Sequence, residues 1–464
     1  MRVFMLGWEF PPFITGGLGT ACYGLTKALS RQQTQVTFVL PKDVGGEFVE
    51  HVQLLSPQSP KAAVGDRQPE SVASSFQMAP APGVSPAAPG TTAASHRTAG
   101  AFANVTFKAV PARLPSPYAS AGLTAAGVAG QTDPNKPVTV LDRRWDGPGQ
   151  QYHGDLIQEA QRYADLCVDL ARGQDFDVIH AHDWLTFPAG MAVAAATGKP
   201  LVVHVHSTEF DRSGDHIHQR IYDVERRGMH AAVRVIAVSH YTKKILEHRY
   251  GVPGSKVDVV YNGIDSGNGY SNGHAAKAAA IQKTDKIVLF LGRITMQKGP
   301  EYFVAAAKKV LEKYDRVKFV MAGSGDKVRD VIELAAEQGI GHKVLFTGFL
   351  RGEDVQKIFQ MADVFVMPSV SEPFGIAPLE AISHDVPVII SKTSGVAEVL
   401  THALKVDFWD THDIANKILA VLRHPPLSNT LRQHADMELR RLTWDDAAAR
   451  CQNVYERALA TMPN

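Results

Sequence analysis

The chain has 464 residues, 45% of them hydrophobic, more than one core usually holds, so two domains of roughly 150 to 250 residues are expected. Lys plus Arg (48) nearly balance Asp plus Glu (47), which leaves no charge excess to draw the chain to nucleic acid or anionic lipid; a small or neutral partner fits better. Three cysteines far apart, Cys22, Cys167 and Cys451, suggest neither a disulfide framework nor a thiolate zinc site, and a reducing cytoplasm is the expected setting.

The opening "MRVFMLGWEF" is too short for a signal peptide or a membrane span, so no integral membrane segment is expected there. Val3 to Leu6 reads as a first strand, "GGLG" (16 to 19) as a glycine loop, "ACYGLTKALS" as a helix and "TQVTFVLPKD" as a second strand: a βαβ unit. From about residue 53 to 137 the chain is rich in Ala, Pro, Ser, Thr and Gly and buries too little apolar surface to offset its chain entropy, so it reads as an insertion, with "ANVTFKAVPARL" able to add a strand. An amphipathic helix in "YHGDLIQEAQRYADLCVDLAR" follows, and then the strands "FDVIHAHDW", "PLVVHVHST" and "VRVIAVS", whose near-continuous apolar runs suit a parallel sheet covered on both faces. The polar, Gly-rich stretch from Asn262 to Lys283 reads as a connection. Five further strands, "KIVLFLG", "VKFVMAG", "KVLFTG", "ADVFVMP" and "VPVIIS", begin a second α/β series, and "LTWDDAAARCQNVYERAL" closes the chain as a helix. The expected division is therefore an N-terminal domain over 1–264 with the 53–137 insertion, a linker over 265–283, a second domain over 284–439, and a helix over 440–464 returning to the first domain. Ligands of such open sheets bind outside the carboxyl ends of the strands.

Two groups of residues carry chemistry. In "SVSEPFGIAPLEAI", Glu372 precedes a proline and belongs to a loop after a strand, Gly375 permits a sharp turn, and Pro378 fits only a first helical turn, so Glu380 sits about one turn into a helix. The free N–H groups around Gly375, Ile376 and Ala377 would receive an anion, and a carboxylate one turn beyond suits ribose hydroxyls. In "LGRITMQKGPEYF", Arg293 follows a strand and Lys298 lies before a helix; a planar donor fork and a point charge together suit a diphosphate. "MAGSGDK" and "VVYNGID" place Gly323, Asn262 and Gly263 in loops after strands, as candidate walls of the same cleft. His180 with His182, and His204 with His206, form two H-x-H pairs at probable strand ends; residues two apart share a strand face, which is the arrangement a metal would need.

"GRITMQKGPEYF", the Glu-x7-Glu of "SEPFGIAPLEA", "GGLG" and "HAHDW" together resemble the retaining GT-B glycosyltransferases, particularly bacterial glycogen synthases and plant starch synthases, over nearly the whole chain outside the insertion. The resemblance implies an α/β fold of two Rossmann-like domains facing a central cleft, and transfer of a hexosyl, favoured as glucosyl, group from a donor such as ADP-glucose or UDP-glucose to an α-glucan. The alternative is a related group 1 enzyme acting on another polysaccharide, a lipid or a small molecule. It implies that Arg293 and Lys298 hold the diphosphate, Glu380 the ribose and Glu372 the donor sugar, with His206 at the reacting centre and Asp183 and Trp184 on the acceptor side. No metal or cofactor is expected. Gly16 and Gly17 would let backbone approach the donor phosphates, where a Cβ would obstruct. The loop is not a dinucleotide fingerprint, because Gly17 and Gly19 are followed by Cys22 rather than the third glycine. Glycogen and starch synthases carry a Lys before the Thr-Gly-Gly; here that position is Ile14, which cannot neutralise phosphate, so looser discrimination between ADP and UDP donors is expected.

Overall fold

The computed structural model describes residues 1–10, 16–41, 54–55, 105–109, 155–264 and 285–462. Ile14, the 265–283 connection and most of the 53–137 segment lie outside them. The first sheet has eight parallel strands, β1 (Arg2–Leu6), β2 (Gln35–Leu40), β3 (Leu54–Leu55), β4 (Val105–Ala109), β5 (Val178–His182), β6 (Leu201–Val205), β7 (Arg234–Ala237) and β8 (Val257–Val259), in the spatial order β3-β4-β2-β1-β5-β6-β7-β8. The second has six, β9 (Lys286–Leu291), β10 (Val317–Ala322), β11 (Val344–Gly348), β12 (Val364–Met367), β13 (Val388–Ser391) and β14 (Leu404–Val406), in the order β11-β10-β9-β12-β13-β14 and also parallel. Two parallel-sheet α/β domains are the GT-B architecture.

In each sheet the winding reverses once, between β1 and β5 and between β9 and β12. The loops that leave a sheet at such a reversal diverge and open a crevice. Those four strands are followed by the loops carrying Gly16 and Gly17, Asp183, Arg293 with Lys298, and Glu372. Fold and candidate site thus coincide for a topological reason.

Helices cover both faces. In the first domain α1 (Gly17–Arg31) lies on one face, and α2 (Asp155–Arg172) and α3 (Phe187–Thr197) on the other, followed by α4 (Glu209–Ser213), α5 (Gln219–Ala231) and α6 (His240–Tyr250). The second domain contributes α7 (Pro300–Leu311), α8 (Val328–Glu337), α9 (Glu353–Met361), α10 (Ala377–Ser383), α11 (Thr411–Arg423) and α12 (Pro425–Leu439). The last helix, α13 (Trp444–Ala460), starts where the Thr443 side chain accepts a hydrogen bond from the Asp446 amide at 3.1 Å, a standard N-cap. Its apolar stripe, Trp444, Ala447, Ala448, Cys451, Val454, Tyr455 and Ala458, packs not on the second sheet but on α1 and the back of β5, β6 and β7.

The strands of both sheets are legible in the sequence except β3 and β14, which at two and three residues are too short to show a period. The stretch "ANVTFKAVPARL" does supply a strand, β4, paired with β2 from Val36↔Val105 to Leu40↔Ala109.

The return of α13 depends on one close approach. A Cβ on Gly24, in the middle of α1, would stand 2.1 Å from Cε2 of the buried Trp444 ring. Gly24→Ala should therefore overpack this helix pair and cost about 1–3 kcal/mol in spite of the better helix propensity of alanine. A urea unfolding midpoint equal to or above wild type would show that the two helices are not so tightly joined.

Candidate functional site

The first wall of the cleft is built at the ends of β5 and β6. Asp183 follows β5 with φ of +57°, a left-handed conformation that aspartate tolerates better than most residues. Its amide donates to the His204 carbonyl at 3.0 Å, and its Oδ1 accepts from the amides of His206 at 2.7 Å and Ser207 at 3.3 Å. Asp183 thus fixes the backbone at which His206 leaves its strand. Burial pushes its carboxyl up to about 7, partly opposed by those amides. The His206 ring meets His182, Nε2 to Nδ1 at 2.9 Å, and burial pushes it down to about 3, so it is a neutral imidazole near pH 7.

Behind this turn, Thr208 and Asp211 form a reciprocal capping box on α4. Arg212 is buried between two buried carboxylates, Glu209 at 3.1 Å and Glu225 at 2.5 Å, and its Nη1 donates to the Ser207 carbonyl at 3.3 Å. The Tyr250 hydroxyl donates to Glu225 as well. One guanidinium therefore holds the turn after His206 by ion pairs on one side and a backbone contact on the other.

The second wall comes from the ends of β9 and β12. Lys298 Nζ pairs with Glu372 Oε2, and Ser369 Oγ donates to the same oxygen at 3.3 Å. Arg293 Nη2 donates to the Gln297 side chain at 3.3 Å, while the Val370 amide donates to the Gln297 carbonyl at 2.9 Å, tying the Arg293–Lys298 loop to the Glu372 loop. Gly375, at φ of +99°, turns the chain from Glu372 into α10, with Ile376 at its N-cap. Glu380 lies in the first turn of that helix, and enclosure by its neighbours pushes its carboxyl up to about 7.

Glycines at the strand ends separate into two kinds. A Cβ on Gly323 (φ +145°) would stand 1.8 Å from the Gly292 carbonyl oxygen, and one on Gly263 would stand 2.3 Å from the backbone of Thr443 and Trp444. Those two are accounted for by backbone crossing backbone: Gly323 seats the loop that carries Arg293, and Gly263 lies where the chain meets the entry to α13. Gly16 and Gly17 differ, since a Cβ on either would meet nothing within 4 Å among the described residues and neither has positive φ. Asn262 is buried next to Gly263. Trp184 requires a correction: it is 1% exposed and packs in the core under α2, α3 and α5, so its ring belongs to the support of the Asp183 turn and not to an exposed acceptor edge.

The two walls are joined by contacts the sequence did not reveal. Ser371 Oγ donates to Asp211 Oδ1 at 2.5 Å and is met by the Tyr241 hydroxyl at 2.9 Å. Ser239 Oγ donates to the Pro373 carbonyl at 2.5 Å. Glu398 accepts from the amides of His240 and Tyr241, at 2.9 and 2.6 Å, at the start of α6. Only Thr208-x-x-Asp211 had a local signature, the capping box; the partners stand more than a hundred positions apart in sequence.

Three family models match successive parts of the chain: the starch synthase catalytic domain over 2–72, Glycosyltransferase Family 4 over 133–267, and Glycosyl transferases group 1 over 274–437. An uncharacterized glycosyltransferase of Methanocaldococcus jannaschii is 34% identical over 307 residues, which cover 62% of this chain and 77% of that protein. Among solved structures, sucrose-phosphate synthase from Thermosynechococcus elongatus aligns with a TM-score of 0.67 at 18% identity over 99% of both chains. Anabaena HepE in complex with UDP and glucose aligns with a TM-score of 0.62 at 16% identity, over 98% of this chain and 100% of that one. At these identities the structural likenesses establish the fold.

The buried ionic group makes the clearest stability test of this wall. Arg212→Met should cost about 3–5 kcal/mol, since it leaves Glu209 and Glu225 buried without their cation. Burial already raises the Glu225 carboxyl, so the loss should shrink as pH falls and the acids take up protons. Urea unfolding at pH 5 and pH 8 measures both; a loss below about 1 kcal/mol at pH 8 would show that the cluster does not hold the turn.

Proposed function

We propose, given that the chain belongs to the group 1 glycosyltransferases and so transfers a sugar from a nucleotide sugar, that the sugar is a glucosyl group, moved with retention at the anomeric carbon to an α-glucan. The observation that carries this reading is the Lys298–Glu372 pair at the β9/β12 reversal, in the loops that also carry Arg293 and lead into α10, with Glu380 in its first turn. A nucleotide sugar presents, in order, ribose hydroxyls, two phosphates and a hexose. Glu380, Arg293 with Lys298, and Glu372 would meet those groups in that same order.

Departure of the nucleoside diphosphate builds negative charge on phosphate while the sugar becomes oxocarbenium-like. Lys298 and Arg293 stabilise the first charge as it develops, so no metal is called on for this step. Glu372 accepts from the hexose hydroxyls and, until the donor arrives, keeps Lys298 in place. Across the cleft, His206 stands beside the sugar as a neutral hydrogen-bonding group, its backbone held by Asp183. Gly16 and Gly17, which packing does not account for, let the first domain's backbone approach the phosphates. Retention follows from attack on the face the diphosphate leaves, with the departing phosphate as base.

The acceptor admits a second reading on a specific observation. The starch synthase likeness covers 2–72 only, whereas 133–267 and 274–437 match the broader families. That favours a group 1 enzyme with a small acceptor, and sucrose-phosphate synthase, by its name, makes a small sugar phosphate. A panel of ADP-, UDP- and GDP-hexoses against glycogen and against sugar phosphates, with released nucleotide measured, decides between them. Release from glucose donors with glycogen supports the first reading; release only with small acceptors selects the second; no release from any pair overturns both.

Two outcomes are expected of the donor residues. Lys298→Ala should lower kcat by about 10²-fold or more at an unchanged fold, as loss of a preorganised donor to a developing anion does, and an unchanged kcat would remove it from the phosphate site. Glu380 accepts ribose hydroxyls best as a carboxylate, and its free-state value of about 7 means that it is protonated below that pH. Affinity for the nucleoside diphosphate should therefore fall as pH drops from 8 to 6, and Glu380→Gln should flatten that part of the profile. Calorimetric titration of both proteins separates this from protonation of the phosphate itself, which is common to the two; parallel profiles would take Glu380 off the ribose.

A further inference from the structure

The imidazoles behind the reacting centre do more than pack. Parallel pairing sets His182 beside His204 on neighbouring strands, with His180 two positions before on the same face. The His180 ring stacks on the other two, with centroids 4.2 Å from His182 and 5.3 Å from His204, and the His182 and His204 rings, tilted to one another, are also 5.3 Å apart. All three are essentially without solvent contact, between the sheet and α13. One ring nitrogen of each lies within 4.8 Å of one from both others.

Their hydrogen bonds leave nitrogens over. His180 Nδ1 meets the Tyr455 hydroxyl at 2.6 Å and His182 Nδ1 meets His206 Nε2 at 2.9 Å, while His180 Nε2, His182 Nε2 and both nitrogens of His204 have no partner among the described residues. Buried polar atoms are paired in the great majority of cases, so unpaired imidazole nitrogens gathered at one point call for a common partner. Backbone donors are committed to the strand ladder, and no described side chain reaches them. A cation with affinity for neutral imidazole would satisfy one nitrogen of each ring at once.

We propose that His180, His182 and His204 form a buried three-imidazole site for a divalent transition metal ion of the zinc type, structural rather than catalytic. Three features fit this assignment. Neutral imidazole without carboxylate or thiolate suits Zn²⁺, Co²⁺, Ni²⁺ or Cu²⁺ and not Mg²⁺ or Ca²⁺. Burial pushes each of these rings below its ordinary titration range, which keeps the lone pairs available. The outer nitrogens of His180 and His182 are already engaged by Tyr455 and His206, as the second nitrogen of a metal-bound histidine regularly is. Ion binding draws the three nitrogens inward and turns the near-parallel rings until their in-plane lone pairs converge, since Zn–N bonds of about 2.0–2.1 Å in a tetrahedral set, with water as the fourth ligand, place them about 3.4 Å apart. With Nε2 of His182 on the ion, its Nδ1 carries the proton and donates it to His206, so the ion fixes the tautomer of the ring at the reacting centre. The family resemblance implies no metal; strand register brings the two H-x-H pairs of the sequence together on one face. This inference is independent of which sugar or acceptor the enzyme uses.

The test uses the full chain, stripped with a chelator and dialysed against Zn²⁺ or Co²⁺. Wild type should retain about one equivalent by elemental analysis, gain thermal stability with Zn²⁺, and show the visible absorption of tetrahedral Co²⁺. His204→Val, which keeps a strand-forming apolar residue, should lose all three responses. The exposed pair His402 and His434, rings 4.6 Å apart and next to Glu438, is the rival imidazole site, so His434→Ala should leave the responses intact. Retention by His204→Val, loss in His434→Ala, or no bound ion in wild type would each overturn the proposal. Should His204→Val fail to fold, zinc-edge X-ray absorption of the wild-type complex decides: three imidazoles in the shell support the site, and fewer overturn it.

Discussion

The hydrogen bond that Ser371 donates to Asp211 is the contact on which the geometry of the cleft depends. Ser371 is the residue before Glu372, and Asp211 belongs to the capping box that begins directly after Ser207, so this one bond ties the Glu372 loop to the turn that carries His206. Asp211 is buried, which raises its carboxyl, while Ser371, Thr208 and Arg212 pull it back. A bond to a charged group is worth about 1.5–3 kcal/mol, enough to hold these two loops against each other. Glu398 at the start of α6 adds a second tie of the same kind, a carboxylate on free helix amides. Both ties are polar; the apolar cores on either side also meet, since Ile376 packs against both and Val238 of the first domain belongs to the second domain's cluster.

That distribution explains why α13 matters. Its apolar stripe belongs to the first domain although it follows the second in sequence, so the chain crosses between domains twice, and Ile264 pairs with Thr443 where the two crossings meet. Gly263 is needed there because the backbones touch, which is a mechanical requirement with no reference to substrate.

The sheets, their parallel sense and the existence of two domains were legible because buried parallel strands write themselves as uninterrupted apolar runs between loops. β14 escaped because three residues cannot show a pattern, and Asp211, Ser371, Tyr241 and Glu398 escaped because their partners are fixed by domain packing, which no local spacing encodes. Trp184 was misplaced for a different reason. In "HAHDW" the left-handed turn at Asp183 throws the next side chain back under α2, α3 and α5, so adjacency in sequence became opposition in space.

Glycine after a strand illustrates the limit most clearly, since the same local signal has two physical origins in this molecule. At Gly263, Gly299 and Gly323 an added Cβ would lie within about 2.3 Å of another backbone, so the folded chain alone requires glycine. At Gly16 and Gly17 it would meet nothing among the described residues, and neither has positive φ. The same is true of Gly173, which follows α2 away from the strand ends of the cleft, so room for a Cβ does not by itself mark a ligand site. Gly16 is moreover the N-cap of α1, a position that glycine suits. What sets Gly16 and Gly17 apart is their place in the loop at the β1/β5 reversal, where an open parallel sheet admits a ligand, and it is topology rather than the missing contact that makes them candidates.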